Sequence, residues 1–233
     1  MTAPFQSDTW LRLSSGPGNA ALNMALDAAL LETAPLLGQP VLRFYSWTER
    51  AASFGYFQKF DEVRQMTQLQ PLVRRPTGGG LVPHDADWTY SVAIPPNHAW
   101  YALSAVDSYR RVHEWVRAAF LKLGVPAELA SDCRKALPGQ CFVGHEKFDV
   151  LWHGQKIAGA AQRRTRAGLL IQGSVQPPPI NIQRADWERA FCAVAATDYG
   201  ITWKEFGADA VLNRRAAELA ETLYAQAAHN ERR

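Results

Sequence analysis

With 233 residues, 47% hydrophobic content, eight Trp and ten Phe, the chain can fill one core, so a single domain spanning 1–233 is expected, ordered except at its ends. The net charge of +3, with Lys and Arg scattered, leaves no nucleic-acid footprint, and three cysteines at these spacings fit neither a zinc site nor a disulfide framework. MTAPFQSDTW lacks a basic segment ahead of an apolar run, and no stretch approaches the roughly 18 apolar residues of a membrane span, so a cytoplasmic protein with reduced thiols and no membrane partner is expected.

The first element is a helix near Asn19 to Glu32, where Leu22, Ala25, Leu26, Ala29 and Leu30 share one face and Pro35 lies just beyond the end. Val41 to Tyr45 and Ala51 to Phe57 read as strands, the second with Gly55 allowing close backbone approach. A short strand, Leu72 to Arg75, runs into Pro76-Thr77-Gly78-Gly79-Gly80, and Trp88 to Ile94 is strand again. A long helix covers Ala105 to Leu123. Ser104 and Asp107 form its capping box, Tyr109, Val112, Val116, Ala119 and Leu123 its buried stripe, and Gly124 with Pro126 its stop. Phe148 to Trp152, the turn His153-Gly154, and Lys156 to Ala161 make a hairpin, followed by a strand through Leu169 to Ile171. After Pro177-Pro178-Pro179, residues 180–228 form the C-terminal helical part of the same domain, and the tail His229 to Arg233 is expected to fray. This order does not alternate as βαβ units do. It predicts an α+β fold with a mixed, largely antiparallel sheet flanked by helices.

Three features carry candidate chemistry. The glycines 78–80 follow a strand and offer amides without Cβ obstruction, in neither a P-loop nor a G-x-G-x-x-G pattern. Alone they equally suit a flexible turn. Arg74, Arg75, His84 and Asp85 flank them, and each alone suits a surface ion pair. Lys156 lies beside Gly159-Ala160-Ala161, side chains small enough to leave room for a ligand, although a lone turn lysine is ordinarily an exposed one. Among the thiols, Cys192 falls in an apolar helix beside Phe191 and reads as core. Cys133 and Cys141 share a polar loop, and periodicity does not choose between them.

Taken together, these motifs resemble the biotin/lipoate protein ligase family, and within it the single-domain protein octanoyltransferases. The similarity runs from about Asn19 to Val175. It rests on Asn23 to Asp27, Leu42 to Trp47, Ser53 to Gln58, Arg74 to Gly80 with His84-Asp85 and Thr89 to Ser91, Gly154 to Arg163, and Gln172 to Ser174. The resemblance implies the biotin/lipoate ligase catalytic-domain fold, with an acyl chain in an apolar tunnel. It implies Cys141 as nucleophile, since a Cys-Phe pair precedes the motif lysine at the same separation in such transferases, and Lys156 as its catalytic partner. Arg74, Arg75, Thr77, Gly78, Gly79, Gly80, His84, Asp85, Gly159, Ala160, Ala161, Gln172 and Gly173 are then the substrate-binding set. No metal or other cofactor is implied. Octanoyl-acyl-carrier protein would be the donor, and a lipoyl domain or the glycine-cleavage H protein the acceptor.

In that scheme Lys156 lowers the thiol's pKa and donates to the acyl carbonyl, helped by backbone amides near Gly78 to Gly80 or Gly159. Two alternatives stand beside it: an ATP- and magnesium-dependent lipoate–protein ligase that does not need the thiol, and a non-catalytic acyl or biotinyl binder, against which the intact motifs argue. Two positions depart from the family pattern. Ala28 stands where many relatives carry an acidic residue, and Asp87-Trp88 where ligases often have Gly-Asn.

Overall fold

The computed structural model describes residues 8–135, 142 and 144–232. It opens on a strand the sequence did not announce, β1 (Asp8–Gly18). Trp10, Leu11 and Leu13 are all buried, on opposite faces, so the two-residue alternation that marks a half-exposed strand is missing. Next comes α1 (Ala20–Leu37), capped by the Asn19 side chain, which accepts from the Leu22 amide at 2.8 Å. The sequence placed Pro35 just beyond the end of this helix, but the helix continues past it to Leu37. Pro35 lies within the last turn, and the chain leaves the helix at Gly38, with φ of 65° and its amide donating to the Ala34 carbonyl.

Strands β2 (Val41–Trp47) and β3 (Ala51–Phe54) follow, then a short helix α2 (Phe60–Met66), β4 (Leu72–Arg74), β5 (Val82–His84) and β6 (Trp88–Ile94). The helix α3 (Ala105–Lys122) starts on Ser104, whose Oγ accepts from the Asp107 amide at 3.0 Å, as the capping box requires. Beyond it lie β7 (Ala127–Leu129), β8 (Arg134–Lys135), β9 (Gly144–His145), β10 (Val150–Trp152), β11 (Gln155–Thr165) and β12 (Gly168–Val175). The chain closes with α4 (Arg184–Asp198), a further unanticipated strand β13 (Ile201–Glu205), α5 (Ala210–Leu219), which runs on through a wide turn to Tyr224, and α6 (Ala227–Asn230).

Eight strands form one sheet in the order β13-β1-β2-β6-β12-β11-β10-β7, parallel from β13 to β2 and antiparallel from there on. The mixed, largely antiparallel sheet of an α+β fold is what the sequence led us to expect. Helices cover both faces. One core joins Trp10, Phe44, Tyr90, Trp115, Trp187 and Phe191 under α3 and α4. The other joins Leu13, Met24, Val41, Tyr45 and Leu212 under α1 and α5. Successive β2 residues divide between the two, Leu42 and Phe44 to the first, Val41 and Tyr45 to the second. A second sheet, β4-β3-β5, stands beside the main one with a small core of its own around Phe54 and Val63.

Contrary to the expectation that no stretch approaches a membrane span, α1 has 18 residues at a mean hydropathy of 1.3. Here that apolarity faces the sheet on one side and α5 on the other. Ala28, at the position where family members often carry an acid, is part of this core, so a carboxylate there would be buried.

One core side chain makes stability depend on pH. His113 of α3 is buried, donates through Nδ1 to the Tyr109 carbonyl at 2.8 Å, and leaves Nε2 without a hydrogen-bond partner. Burial pushes its imidazole from 6.5 down to about 4. Between those two values the unfolded chain binds a proton that the folded chain refuses, so stability rises with pH across this window and is lost on acidification. His229, also lowered by burial, adds in the same direction. The urea midpoint is expected to fall between about pH 7 and about pH 4.5 by the equivalent of about 3 kcal/mol, and His113→Met to remove most of that slope.

Candidate active site

A cavity opens where the middle of the main sheet meets the small one, and the free space in it, counted together with the solvent at its mouth, is about 440 Å³. One wall is β11 and β12, contributing Lys156, Gly159, Ala160 and Ala161, then Gln172, Gly173 and Ser174. The opposite wall is Ser53 of β3, Arg75 just after β4, and Val82 and His84 of β5. Met24, Tyr45, Thr89 and Phe142 complete it.

The tight turn His153-Gly154, with φ of 47° and 72°, sends β11 back along β10 and brings Lys156 opposite Leu151. Asp149, immediately before β10, then meets the lysine. Its Oδ2 lies 2.7 Å from Nζ, with side-chain exposures of 0% for the carboxylate and 7% for the lysine. The Tyr109 hydroxyl donates to Asp149 Oδ1 at 2.5 Å and the Glu146 amide to Oδ2 at 2.7 Å, so the carboxylate is held from three sides. The lysine folds over Gly159, where a Cβ would stand only 2.6 Å from its Cε. Gly159 is therefore a space requirement of Lys156. On its other side Nζ lies 5.0 Å from the centre of the Phe142 ring.

Gln172 is fixed by a buried network. Its amide nitrogen donates to Asp27 at 2.7 Å and its oxygen accepts from Thr77 Oγ1 at 2.7 Å. Asp27 also pairs with the buried Arg43 at 2.7 Å and accepts from Ser91 and Tyr45. Burial raises the Tyr45 phenol well above its usual range, with the Asp27 charge adding to the shift, so this hydroxyl stays a donor.

Opposite, Ser53 Oγ lies 2.8 Å from His84 Nε2, and His84 Nδ1 lies 2.8 Å from Asp87 Oδ2. Trp47 stacks on the imidazole at 3.8 Å. Asp87 Oδ2 accepts further bonds from Ser174 at 2.7 Å and Thr89 at 3.3 Å, while Oδ1 is buried without a hydrogen-bond partner.

The residues expected to bind substrate therefore divide. Arg75, His84, Gly159, Ala160, Ala161, Gln172 and Gly173 line the same cavity as Lys156. Thr77 acts one step behind, on Gln172. Gly78, Gly79 and Gly80 do not line it. The carbonyls of Gly78 and Gly80 accept from the Arg75 guanidinium, and the loop packs on Gly55 so closely that a Cβ there would stand 1.9 Å from the Gly79 oxygen. The loop positions Arg75 through its carbonyls, beside the expectation that its amides, or those near Gly159, help hold the acyl group. Arg74 is also outside the cavity. Its guanidinium donates to the carbonyls of Tyr56, Gln58, His229, Asn230 and Arg232. Asp85 pairs with Arg50 at 3.3 Å in a neighbouring outer cleft that shares His84 with the cavity.

Cys141 lies outside the described residues; Phe142, bonded to it in the chain, lines the cavity. Of the other thiols, Cys192 is buried in α4 with its pKa pushed up by burial, and Cys133 is exposed and donates to the Glu146 carboxylate at 3.1 Å. Among the described residues no group of three His, Cys, Asp or Glu is arranged to hold a metal ion.

Sequence reasoning missed Asp149, Ser53, Asp87 and Tyr45. Tyr45 and Ser53 fall within the motifs noted above and Asp87 at a noted departure, without a role being assigned to them, and Asp149 left the signal of an acid flanking the strand that pairs with the lysine's strand.

Known proteins resemble the chain in sequence and in fold. Residues 19–177 match the lipoyl protein ligase A/B catalytic domain. Octanoyltransferase LipM of Halalkalibacterium halodurans is 35% identical over 181 residues, covering 72% of this chain and 66% of the relative. Octanoyltransferase LipM of Bacillus subtilis is 33% identical over 188 residues, covering 73% and 66%. The chain thus spans just under two thirds of the length of these relatives. Among solved structures, a T. acidophilum protein with bound lipoic acid superposes with a TM-score of 0.77 at 21% identity, covering 97% of this chain and 99% of the other. A lipoate-protein ligase A bound with ATP gives 0.78 at 21%, covering 97% and 98%. At these identities the likeness shows the fold.

Proposed function

Since the chain belongs to the lipoyl protein ligase A/B catalytic domain family, we propose that it is an acyltransferase that moves an octanoyl or lipoyl group from a carrier-protein thioester to a lysine of a lipoyl-type domain, through a thioester on Cys141. The relatives named octanoyltransferase support the reaction class. The observation that carries the reading is that Phe142, joined to Cys141 by one peptide bond, shares a cavity with Lys156 and lies 5.0 Å from its ammonium. The other two thiols lie in other surroundings, Cys192 in the core of α4 and Cys133 exposed beside the Glu146 carboxylate.

The Cys141 thiolate attacks the thioester carbonyl of octanoyl-acyl-carrier protein, and the carrier's thiol leaves. The Lys156 ammonium stabilises the thiolate beforehand and the developing oxyanion during attack, a role worth about 3 kcal/mol for one well-placed donor. Asp149 fixes the ammonium, Gly159 leaves it room, and Met24, Val82 and Phe142 give the acyl chain an apolar surface. The acceptor lysine, on a lipoyl domain or glycine-cleavage H protein, then forms the amide. Thioester exchange is near neutral and amide formation downhill, so the reaction runs without ATP, magnesium or another cofactor.

Intact-mass analysis after mixing with octanoyl-acyl-carrier protein, ATP omitted, is expected to show an octanoyl adduct that hydroxylamine removes and that Cys141→Ser lacks. An adduct retained by Cys141→Ser overturns the assignment of the nucleophile. Pyrophosphate release from lipoate and ATP by the Cys141→Ser protein replaces the reading with that of a ligase.

A further inference from the structure

From the hydrogen-bond chain Ser53–His84–Asp87 we propose that this unit is the proton acceptor for the second half-reaction, taking a proton from the incoming lysine. The inference rests on the acyl-transfer reading above. An acceptor lysine arrives as an ammonium and has no lone pair until one proton leaves. Lys156 is a poor acceptor for that proton, being an ammonium paired to a carboxylate at 2.7 Å. On the other wall of the same cavity, His84 has the arrangement of a general base. Asp87 Oδ2 accepts from Nδ1–H at 2.8 Å, which leaves the Nε2 lone pair for Ser53 Oγ, also at 2.8 Å.

The direction of the chain follows from its partners. Arg75, which can only donate, places an N–H 3.3 Å from Ser53 Oγ, so the hydroxyl hydrogen turns toward His84. Asp87 also accepts from Ser174 and Thr89, which have hydrogens to give, so the carboxylate is the acceptor end. The imidazole is clamped flat by Trp47. Ser53 lines the acyl cavity, and His84 lines both this cavity and the outer cleft beyond it, around Glu49, Arg50 and Asp85.

The balance is as follows. The lysine ammonium gives one proton to Ser53 Oγ, which passes its own to His84 Nε2. The freed amine forms the C–N bond as the C–S bond to Cys141 breaks. The second amine proton goes to the departing sulfur, and once the amide product has left, the imidazolium returns its Nε2 proton through Ser53 Oγ to water entering the cavity. Ser53 is the group that touches the amine; His84 and Asp87 act through it.

The test isolates the octanoyl-enzyme of the wild type, His84→Gln and Ser53→Ala, then challenges each with a purified lipoyl domain or with hydroxylamine, which arrives unprotonated at neutral pH. Both variants are expected to transfer to the lipoyl-domain lysine at least about 30-fold more slowly while their cleavage by hydroxylamine stays within about threefold of wild type. Lysine transfer within about threefold of wild type in either variant overturns the proposal alone, as does an equal fall with both nucleophiles, which would mean that these groups hold the acyl chain in place. If the wild type forms no octanoyl-enzyme, the acyl-transfer reading fails and this one with it.

Discussion

Lys156→Met is expected to lower acyl transfer by about 10³-fold and to melt about 10 °C below the wild type. The two losses have different causes and separate cleanly. Stability suffers because Asp149 is fully buried and Lys156 is its counter-charge. The Tyr109 and Glu146 donors remain, but a buried carboxylate stripped of its cation costs about 3 to 5 kcal/mol, and in a chain of this size each kcal/mol moves the melting point by about 2 to 4 °C. Lys156→Met with Asp149→Asn removes both charges and leaves an amide whose oxygen accepts from the Glu146 amide while its nitrogen donates to the Tyr109 hydroxyl oxygen. The pair is expected to regain more than half of the lost melting temperature while transfer stays at the single mutant's level. Lys156→Arg keeps the charge but sets a wider group against Gly159, where even a methyl carbon would come within 2.6 Å of the lysine stem. It should be inactive as well. Calorimetry and octanoyl transfer measured on the same four proteins decide the matter. Transfer by Lys156→Met above about a tenth of wild type would remove the ammonium from the chemistry.

What the sequence disclosed and what it withheld follow from the range of the interactions involved. The hairpin carrying Lys156 is written locally, in a two-residue turn with positive φ that directly follows Leu151-Trp152, and β6, α3 and the motif order were legible for the same reason. Strands β1 and β13 were not. They pair with each other across nearly the whole chain, and β1 is buried on both faces, so no period-two signal marks it. The partners in the site are equally remote: Ser53 and His84 are 31 residues apart, and Thr77 and Gln172 are 95 apart. Arg74 and Arg75 show the limit most clearly. Neighbouring strand residues point to opposite faces, so one of an Arg-Arg pair beside a cavity must turn away from it, and nothing in the dipeptide says which. The structure gives the cavity to Arg75 and the C-terminus to Arg74.

That division yields the second large effect. The tail from His229, expected to fray, is fastened by Arg74. All five guanidinium hydrogens have carbonyl acceptors between 2.6 and 3.0 Å, three of them on His229, Asn230 and Arg232. The Arg74 backbone joins in, its amide donating to Asn230 Oδ1 at 2.8 Å and its carbonyl accepting from His229 Nε2 at 3.2 Å. The guanidinium also lies 4.7 Å over the Phe54 ring. Arg74→Ala is expected to cost about 3 to 5 kcal/mol, less than the sum of five charged bonds because the freed tail carbonyls can turn to water. Arg74→Lys should recover little, since a point charge with three donors cannot span acceptors arranged around a planar fork. Deleting 226–233 should cost a similar amount. Combining that deletion with Arg74→Ala should add less than about 1 kcal/mol, because both changes break the same contact. Urea denaturation of the four proteins measures that coupling, and a transfer assay well below their melting points supplies the control. If Arg74→Ala slows transfer tenfold more than the deletion does, the guanidinium serves the substrate after all.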